Sequence, residues 1–151
     1  MPAPPGDLYF KAAEESGIPV NVLVAIAGAE SAWHPWALNV SGREIYCASQ
    51  EAALAAANAA DDVDIGLMQI NYRIWGERLG LSKAQLLDPL TNLMAGAKIL
   101  KACLGVRPAD AGPAEVWKCI AIYHSRKTGA GARYNRRVYN TYLNYLLSAK
   151  K

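Results

Sequence analysis

The stretch from Val20 to Ala29 constrains this chain more than any other, because it consists almost entirely of Val, Leu, Ile and Ala and ends at a carboxylate, Glu30. Its apolar side chains would nearly surround a helix, and a helix without a polar face belongs at the centre of a protein. We therefore expect a central, buried helix with Glu30 at its end. Burial of a carboxyl group favours its protonated form, so this position suits a general acid.

A second short segment, Asp64 to Asn71, has the composition of a ligand-binding turn. It places a glycine, Gly66, beside uncharged side chains that are polarisable or carry an amide, namely Met68, Gln69 and Asn71. Such side chains suit hydrogen bonding to a neutral ligand that is rich in hydroxyl groups. One protonated carboxylic acid beside an amide-lined groove points to glycoside chemistry.

Three segments carry a resemblance to a known family: Glu30-Ser31, then Gly66-Leu67-Met68-Gln69-Ile70-Asn71, then Ala121-Ile122-Tyr123-His124-Ser125. In order and approximate spacing they resemble the three successive motifs of the family 1 lytic transglycosylases, whose SLT domain is related to goose-type lysozyme. The similarity extends from about Asp7 to Leu147. The short chain and the stretch from Ala37 to Val40 further resemble the small members that accompany bacterial secretion, conjugation or pilus systems.

Length and resemblance together predict the fold. A chain of 151 residues is long enough for one domain with a substantial core, and a second domain is not expected. The resemblance implies an all-α, lysozyme-like domain over residues 7–148, in which two helical lobes flank a substrate groove. Residues 1–6 would be a flexible N-terminus.

The resemblance also implies a reaction, the cleavage of the β-1,4 bond between N-acetylmuramic acid (MurNAc) and N-acetylglucosamine (GlcNAc) of peptidoglycan, which leaves a 1,6-anhydro ring. Glu30 would be the catalytic acid and then the base. Asp64 has two interpretations: a carboxylate that caps a turn, or an ionised auxiliary that stabilises the transition state or positions a water. The residues expected to contact the substrate are Ser31, Met68, Gln69, Asn71, Tyr123 and Tyr134.

Several aromatic and apolar side chains have a structural alternative. Met68 and Tyr123 fit either core packing or contact with the sugar. Trp33 and Trp36 fit either a sugar-stacking platform or core aromatics. The family usually has Asn after the tyrosine of the third motif, whereas this chain has His124.

The three cysteines, Cys47, Cys103 and Cys119, have neither the CxxC spacing nor the histidine partners of a zinc site, and no metal or cofactor is expected. In an oxidising compartment they would form one disulfide and leave one thiol. Cys103 and Cys119 are the preferred pair, because a short loop would make their consecutive helical segments antiparallel. The spacing by itself leaves the pairing open.

Composition and the implied substrate predict the compartment and partners. No apolar run is long enough to cross a bilayer, and the chain begins without a basic and apolar signal region. Because the implied substrate is periplasmic, we expect that an export signal was replaced by the initiator Met. Within a net charge of +3, Lys and Arg gather at the C-terminus, but nothing further supports nucleic-acid binding. The expected protein is a monomer that binds glycan strands and a secretion, conjugation or pilus component.

Two other functions are open at this point. One is a muramidase that hydrolyses the same bond with Glu30 and Asp64, and the other is a peptidoglycan-binding module without turnover. A cytoplasmic helical adaptor is a third idea, but it would leave all three motifs unexplained.

Capping signals predict where the helices begin and end. Asp7 is expected to cap a first helix that ends near residue 16, and Asn21 is expected to cap the buried helix, which Pro35 ends. Ser49, Ser82 and Asp88 are expected to cap three later helices, the last of them with Pro89 at its first position. Further helices are predicted at 50–60, 72–79, 83–87, 89–104, 113–123 and 132–148.

Overall fold

The computed structural model describes residues 6–105 together with residues 114, 115, 118, 119 and 140. Between residues 6 and 105, helices alternate with short strands. The helices are α1 (Gly6–Ser16), α2 (Val20–Ser31), α3 (Gln50–Asn58), α4 (Tyr72–Leu79), α5 (Lys83–Leu86) and α6 (Pro89–Leu104). The strands are β1 (Ala37–Val40), β2 (Arg43–Tyr46), β3 (Val63–Ile65) and β4 (Ile70–Asn71).

The four strands form one antiparallel sheet in the order β2-β1-β3-β4. Asn39 of β1 pairs with Glu44 of β2 and with Asp64 of β3, and Asp64 pairs in turn with Asn71 of β4. The prediction of an all-α domain was therefore wrong in this respect, although helices predominate. Strands of two to four residues are too short to display the alternating pattern that identifies a strand in a sequence.

Helix α2 is the buried centre of the described fold, which confirms the prediction from its apolar run. Leu23, Ile26 and Ala27 are completely buried. Helix α1 packs against both α2 and α6, and Leu93 and Leu100 of α6 belong to the same core. The apolar helix thus places its C-terminal end, and not its middle, within reach of a ligand.

Most of the predicted caps are confirmed. The Ser49 hydroxyl accepts a hydrogen bond from the Ala52 N–H, and Ser82 and Gln85 form a reciprocal capping box. Asp88 caps α6 ahead of a proline at the first helical position. These helices start where a side-chain oxygen meets one of the otherwise unsatisfied N–H groups of the first turn.

Two predicted helix starts were wrong. Helix α2 begins one residue before Asn21, directly after Pro19, and no side chain in the described part of the chain caps it. Asp7 lies inside the first turn of α1, where its charge faces the positive end of the helix dipole. In both cases a residue typical of caps lies within the first turn instead.

The predicted helices 113–123 and 132–148 fall largely outside the described residues, and so do Tyr123, His124 and Tyr134. The domain limits, 7–148, stay a prediction. Within the described part of the chain, no helix combines the length and the apolar character needed to span a membrane.

A disulfide joins Cys103 at the end of α6 to Cys119, with the two Cα atoms 5.7 Å apart. The preferred pairing is therefore confirmed. Cys47, after β2, is a free thiol that is half-buried. Disulfides persist in oxidising compartments, so this one fits a protein that works outside the reducing cytoplasm.

Replacing both Cys103 and Cys119 by Ser should lower the free energy of unfolding by about 3 kcal/mol, because the cross-link closes a loop with a sequence separation of 16. Urea unfolding followed by circular dichroism measures this difference. The control variant Cys47→Ser removes the thiol that is outside the disulfide and should change the free energy of unfolding by less than about 1 kcal/mol. Equal stability of the double variant and the wild type would contradict the assigned role of the cross-link.

Candidate active site

Glu30 lies in the last turn of α2, half-buried, where the helix leaves the core. The helix ends at Ala32, whose φ of 50° is left-handed, and Trp33 follows with a φ of 63°. These two residues, and not Pro35 as predicted, turn the chain away from the helix axis. Left-handed conformations cost on the order of 1 kcal/mol each for residues other than glycine. The surrounding contacts therefore hold the backbone after Glu30 in one strained conformation.

The two indoles that follow α2 serve as anchors. Trp33 Nε1 donates a hydrogen bond of 3.0 Å to the Val24 carbonyl oxygen, which folds the ring back along α2. Trp36 packs against the core, and its Nε1 is buried without an acceptor among the described residues. Of the two interpretations given above, core packing is the one that these positions favour.

The segment from Gly66 to Gln69 is the tight loop between β3 and β4. The Gln69 N–H donates a hydrogen bond of 3.1 Å to the Gly66 carbonyl oxygen, and the two residues have positive φ angles of 50° and 80°. Glycine adopts the second of these without steric cost. Between them, Leu67 and Met68 are buried in the core. The motif is thus a hairpin loop with an apolar underside.

A buried amide on α6, Asn92, holds this loop. Asn92 Oδ1 accepts a hydrogen bond of 2.7 Å from the Met68 N–H, and its Nδ2 donates to the carbonyl oxygens of Ile65 and Leu86, both at 2.8 Å. The side chain is 1% exposed. A Cβ atom on Gly66 would lie 2.8 Å from Asn92 Cγ. Gly66 is therefore required both by its φ and by the closeness of this amide.

Asn92 was missed by the reasoning from sequence. Its signal was a polar residue within the apolar stripe of α6, four positions before Gly96. Residues four apart share a helix face, and Gly96 provides the room for Met68, because a Cβ there would lie 2.8 Å from Met68 Cγ. Asn92 and Gly96 together form the surface on which the loop packs.

Backbone hydrogen bonds join the end of α2 to the same loop. The His34 N–H donates to the Ser31 carbonyl oxygen at 3.0 Å, and the Ala37 N–H donates to the His34 carbonyl oxygen at 3.3 Å. The Ala37 carbonyl oxygen then accepts two hydrogen bonds, from the Gly66 N–H at 2.8 Å and from Gln69 Nε2 at 3.1 Å. The first and second motifs are thereby connected through β1.

Asp64 and Asn71 face each other across β3 and β4. Asn71 Nδ2 donates hydrogen bonds of 2.8 Å to Asp64 and to Asp62, and Asn71 Oδ1 accepts one from the Ile74 N–H, which caps α4. Asp64 itself is half-buried. An amide shared between two carboxylates therefore fixes Asp64 in the sheet, directly before the loop.

The acidic residues beside the loop do not form a metal site. Asp62 and Asp64 both accept from the Asn71 amide, so a hydrogen-bond donor lies between them where a cation would be needed. Across the described ranges, no three His, Cys, Asp or Glu side chains are grouped so that they could hold a metal ion.

The predicted substrate-binding residues differ in accessibility. Ser31 is 1% exposed, and its hydroxyl donates a hydrogen bond of 2.8 Å to the Ala27 carbonyl oxygen. Met68 is completely buried. Gln69 and Asn71 are partly exposed, with the Gln69 amide nitrogen already bonded to two backbone carbonyl oxygens. Ser31 and Met68 are thus positioned to support the site from behind, and direct contacts with substrate stay predictions.

A family model described as the transglycosylase SLT domain matches residues 7–146, nearly the whole chain. The chain belongs to this family. The SLT domain is lysozyme-like and rich in helix, and the family indicates an enzyme of the lytic transglycosylase type that acts on peptidoglycan outside the cytoplasm. A search of curated proteins gave no match to the chain.

Replacing the buried amide of this SLT domain, Asn92→Asp, should lower the free energy of unfolding by about 3 kcal/mol. The Asp side chain has the same shape, but it presents an oxygen to the carbonyl oxygens of Ile65 and Leu86 where the amide donated to both. Urea unfolding is the measurement, and Asn58→Asp at the exposed end of α3 is the matched control. If both variants lose the same small amount, Asn92 does not hold the loop.

Proposed function

We propose that this SLT domain cleaves the MurNAc–GlcNAc β-1,4 bond of peptidoglycan without water and leaves 1,6-anhydro-MurNAc ends, with Glu30 as the catalytic residue. The observation that carries the proposal is the connection between the end of α2 and the loop from Gly66 to Gln69. The Ala37 carbonyl oxygen bonds both ends of this loop. A carboxyl group on a helix end that hydrogen bonds connect to a neighbouring loop supports acid catalysis, which needs an acid held in place.

In the proposed reaction one carboxyl group acts twice. The Glu30 carboxylic acid donates its proton to the glycosidic oxygen, and the bond between that oxygen and C1 of MurNAc breaks with its electron pair leaving on the GlcNAc oxygen. An oxocarbenium-like centre develops at C1. The Glu30 carboxylate then takes the proton of the MurNAc C6 hydroxyl, and O6 bonds to C1. Glu30 ends protonated as it began, and no water is consumed.

Asp64 is proposed as an auxiliary carboxylate. It lies in the middle of the sheet, directly before the loop, and accepts a hydrogen bond from Asn71. A fixed negative charge near the groove would stabilise the positive charge that develops at C1. The same carboxylate would direct a water if the enzyme were a muramidase, so its variant also tests that alternative.

The substrate contacts are proposed in two groups. Gln69 and Asn71 lie on the exposed side of the loop and strand β4, where their amide groups are near hydroxyl and acetamido groups of a bound strand. Tyr123 and Tyr134 are proposed on the resemblance of their motifs. Ser31 and Met68 are proposed to pack behind the site, where they would fix the backbone that bears the contacting residues.

The proposed setting is the periplasm, where the protein would open the cell wall locally for a secretion, conjugation or pilus system and would work as a monomer. The Cys103–Cys119 disulfide supports an oxidising compartment. The association with such a system is proposed on the small size of the chain and on the resemblance of residues 37–40.

Glu30→Gln should reduce the release of soluble muropeptides from purified peptidoglycan by on the order of 100-fold or more, because the amide has no proton of suitable acidity. Mass spectrometry of the wild-type products should find anhydro ends. Glu14→Gln, an exposed glutamate on α1, is the matched control and should keep full activity. Near-normal turnover by Glu30→Gln would eliminate the mechanism, and binding without release by the wild type would favour a non-catalytic module.

Asp64→Asn should lower kcat by roughly tenfold or more through loss of the auxiliary charge, with anhydro products unchanged. Asp62→Asn is an unusually close control, since Asp62 accepts a hydrogen bond from the same Asn71 nitrogen but is exposed, and it should leave kcat unchanged. Equal effects of the two variants would assign Asp64 to structure. Reducing-end products from the wild type that disappear in Asp64→Asn would assign a muramidase.

A further inference from the structure

The edge strand β2 carries one exposed aromatic ring, Tyr46, close to the elements of the candidate site. Tyr46 is 50% exposed and pairs with Ala37 of β1. On the opposite edge of β1, the Ala37 carbonyl oxygen accepts a hydrogen bond from the Gly66 N–H. Two strand spacings therefore separate Tyr46 from the loop, about 10 Å between backbones. A short run of β-1,4-linked sugars spans that distance.

The Tyr46 ring is fixed from behind by a residue that follows Glu30. The His34 ring lies 4.6 Å from the Tyr46 ring, centroid to centroid, at an interplanar angle of 50°. His34 is held to the end of α2 by its N–H bond to the Ser31 carbonyl oxygen. One side of the tyrosine thus packs on the protein, and the ring has a defined position relative to the catalytic helix.

The surroundings of Tyr46 are polar rather than apolar. Along β2 alternate side chains face opposite sides of the sheet, so Tyr46 shares its face with Glu44, while Ile45 packs against the core. Burial, together with the negative charge of the neighbouring Glu44 carboxylate, raises the pKa of Tyr46. The register continues this face across the sheet through Asn39, Asp64 and Asn71.

A row of carboxylates and amides with an aromatic ring beside its outer end, at Glu44, fits a hydroxyl-rich polymer. Hydroxyl groups bond the polar side chains, and the C–H groups on the face of a pyranose ring pack on the π face of a tyrosine. An apolar protein partner would leave this row of carboxylates and amides unpaired, which is costly. The continuity of the row with the candidate site therefore favours the glycan strand as the occupant.

We infer that Tyr46, backed by His34 and flanked by Glu44, forms a subsite that stacks an N-acetylhexosamine unit of the glycan at a distance from the cleaved bond. The inference rests on the proposed function for the identity of the glycan. It assigns Tyr46 a role in selecting strands of several sugars over a disaccharide, because a disaccharide is too short to occupy the sites at Glu30 and on β2 together.

The test measures binding of β-1,4-linked GlcNAc dimer and hexamer by calorimetry, in the Glu30→Gln background so that no turnover occurs. Adding Tyr46→Ala should weaken hexamer binding by roughly tenfold and leave dimer binding unchanged, whereas Tyr46→Phe should keep most of the affinity for the hexamer. Phe10→Ala, which removes another exposed ring, on α1, is the matched control. Melting temperatures check that each variant is folded.

Hexamer binding that is the same in Tyr46→Ala and Phe10→Ala overturns the subsite, as does an equal loss for both oligomers. A parent that binds neither oligomer also overturns it. Failure of the proposed function has a different signature: the chain with Glu30 intact releases no muropeptides from peptidoglycan, while the Tyr46 dependence of hexamer binding is still present.

Discussion

The hydrogen bonds of one buried side chain, Asn92, underlie the geometry of the whole site. A tight loop with two buried apolar residues has backbone groups that water cannot reach, and each unsatisfied group costs on the order of 1 to 3 kcal/mol. Asn92 satisfies the Met68 N–H and the Ile65 carbonyl oxygen from the core side. Because Asn92 on α6 bonds these backbone groups from the core side, the loop can expose its polar side to solvent.

Strand β1 is the second structural link, because it connects the elements of the candidate site. The Ala37 carbonyl oxygen bonds both ends of the Gly66–Gln69 loop, and the chain between Ala37 and α2 is fixed by two left-handed residues, Ala32 and Trp33. Hydrogen bonds therefore link helix end, loop and sheet, and the proposed general acid catalysis requires an acid that is held in place. The same strand, β1, also pairs with β2, in which Tyr46 lies opposite Ala37.

Sequence predicted best what depends on local chemistry. The buried helix, the Ser49, Ser82 and Asp88 caps and the Cys103–Cys119 pair all follow from patterns within a few turns. The sheet was not predicted, because its strands are stabilised by pairing with segments distant in sequence and not by their own propensity. Asn92 was missed for the same reason: its three partners lie 6 to 27 positions away. Glu30 and the loop were proposed as site elements from their motifs, whereas their connection through Ala37 required coordinates.

In the proposed mechanism, Glu30 regains its proton from the C6 hydroxyl of MurNAc and not from water. Digestion of peptidoglycan in water enriched in ¹⁸O, followed by mass spectrometry of the new ends, tests this directly. If the proposed mechanism is right, the products are anhydro-muropeptides with no ¹⁸O incorporated. Incorporation of one ¹⁸O atom at each new reducing end would contradict it and would establish hydrolysis of the same bond.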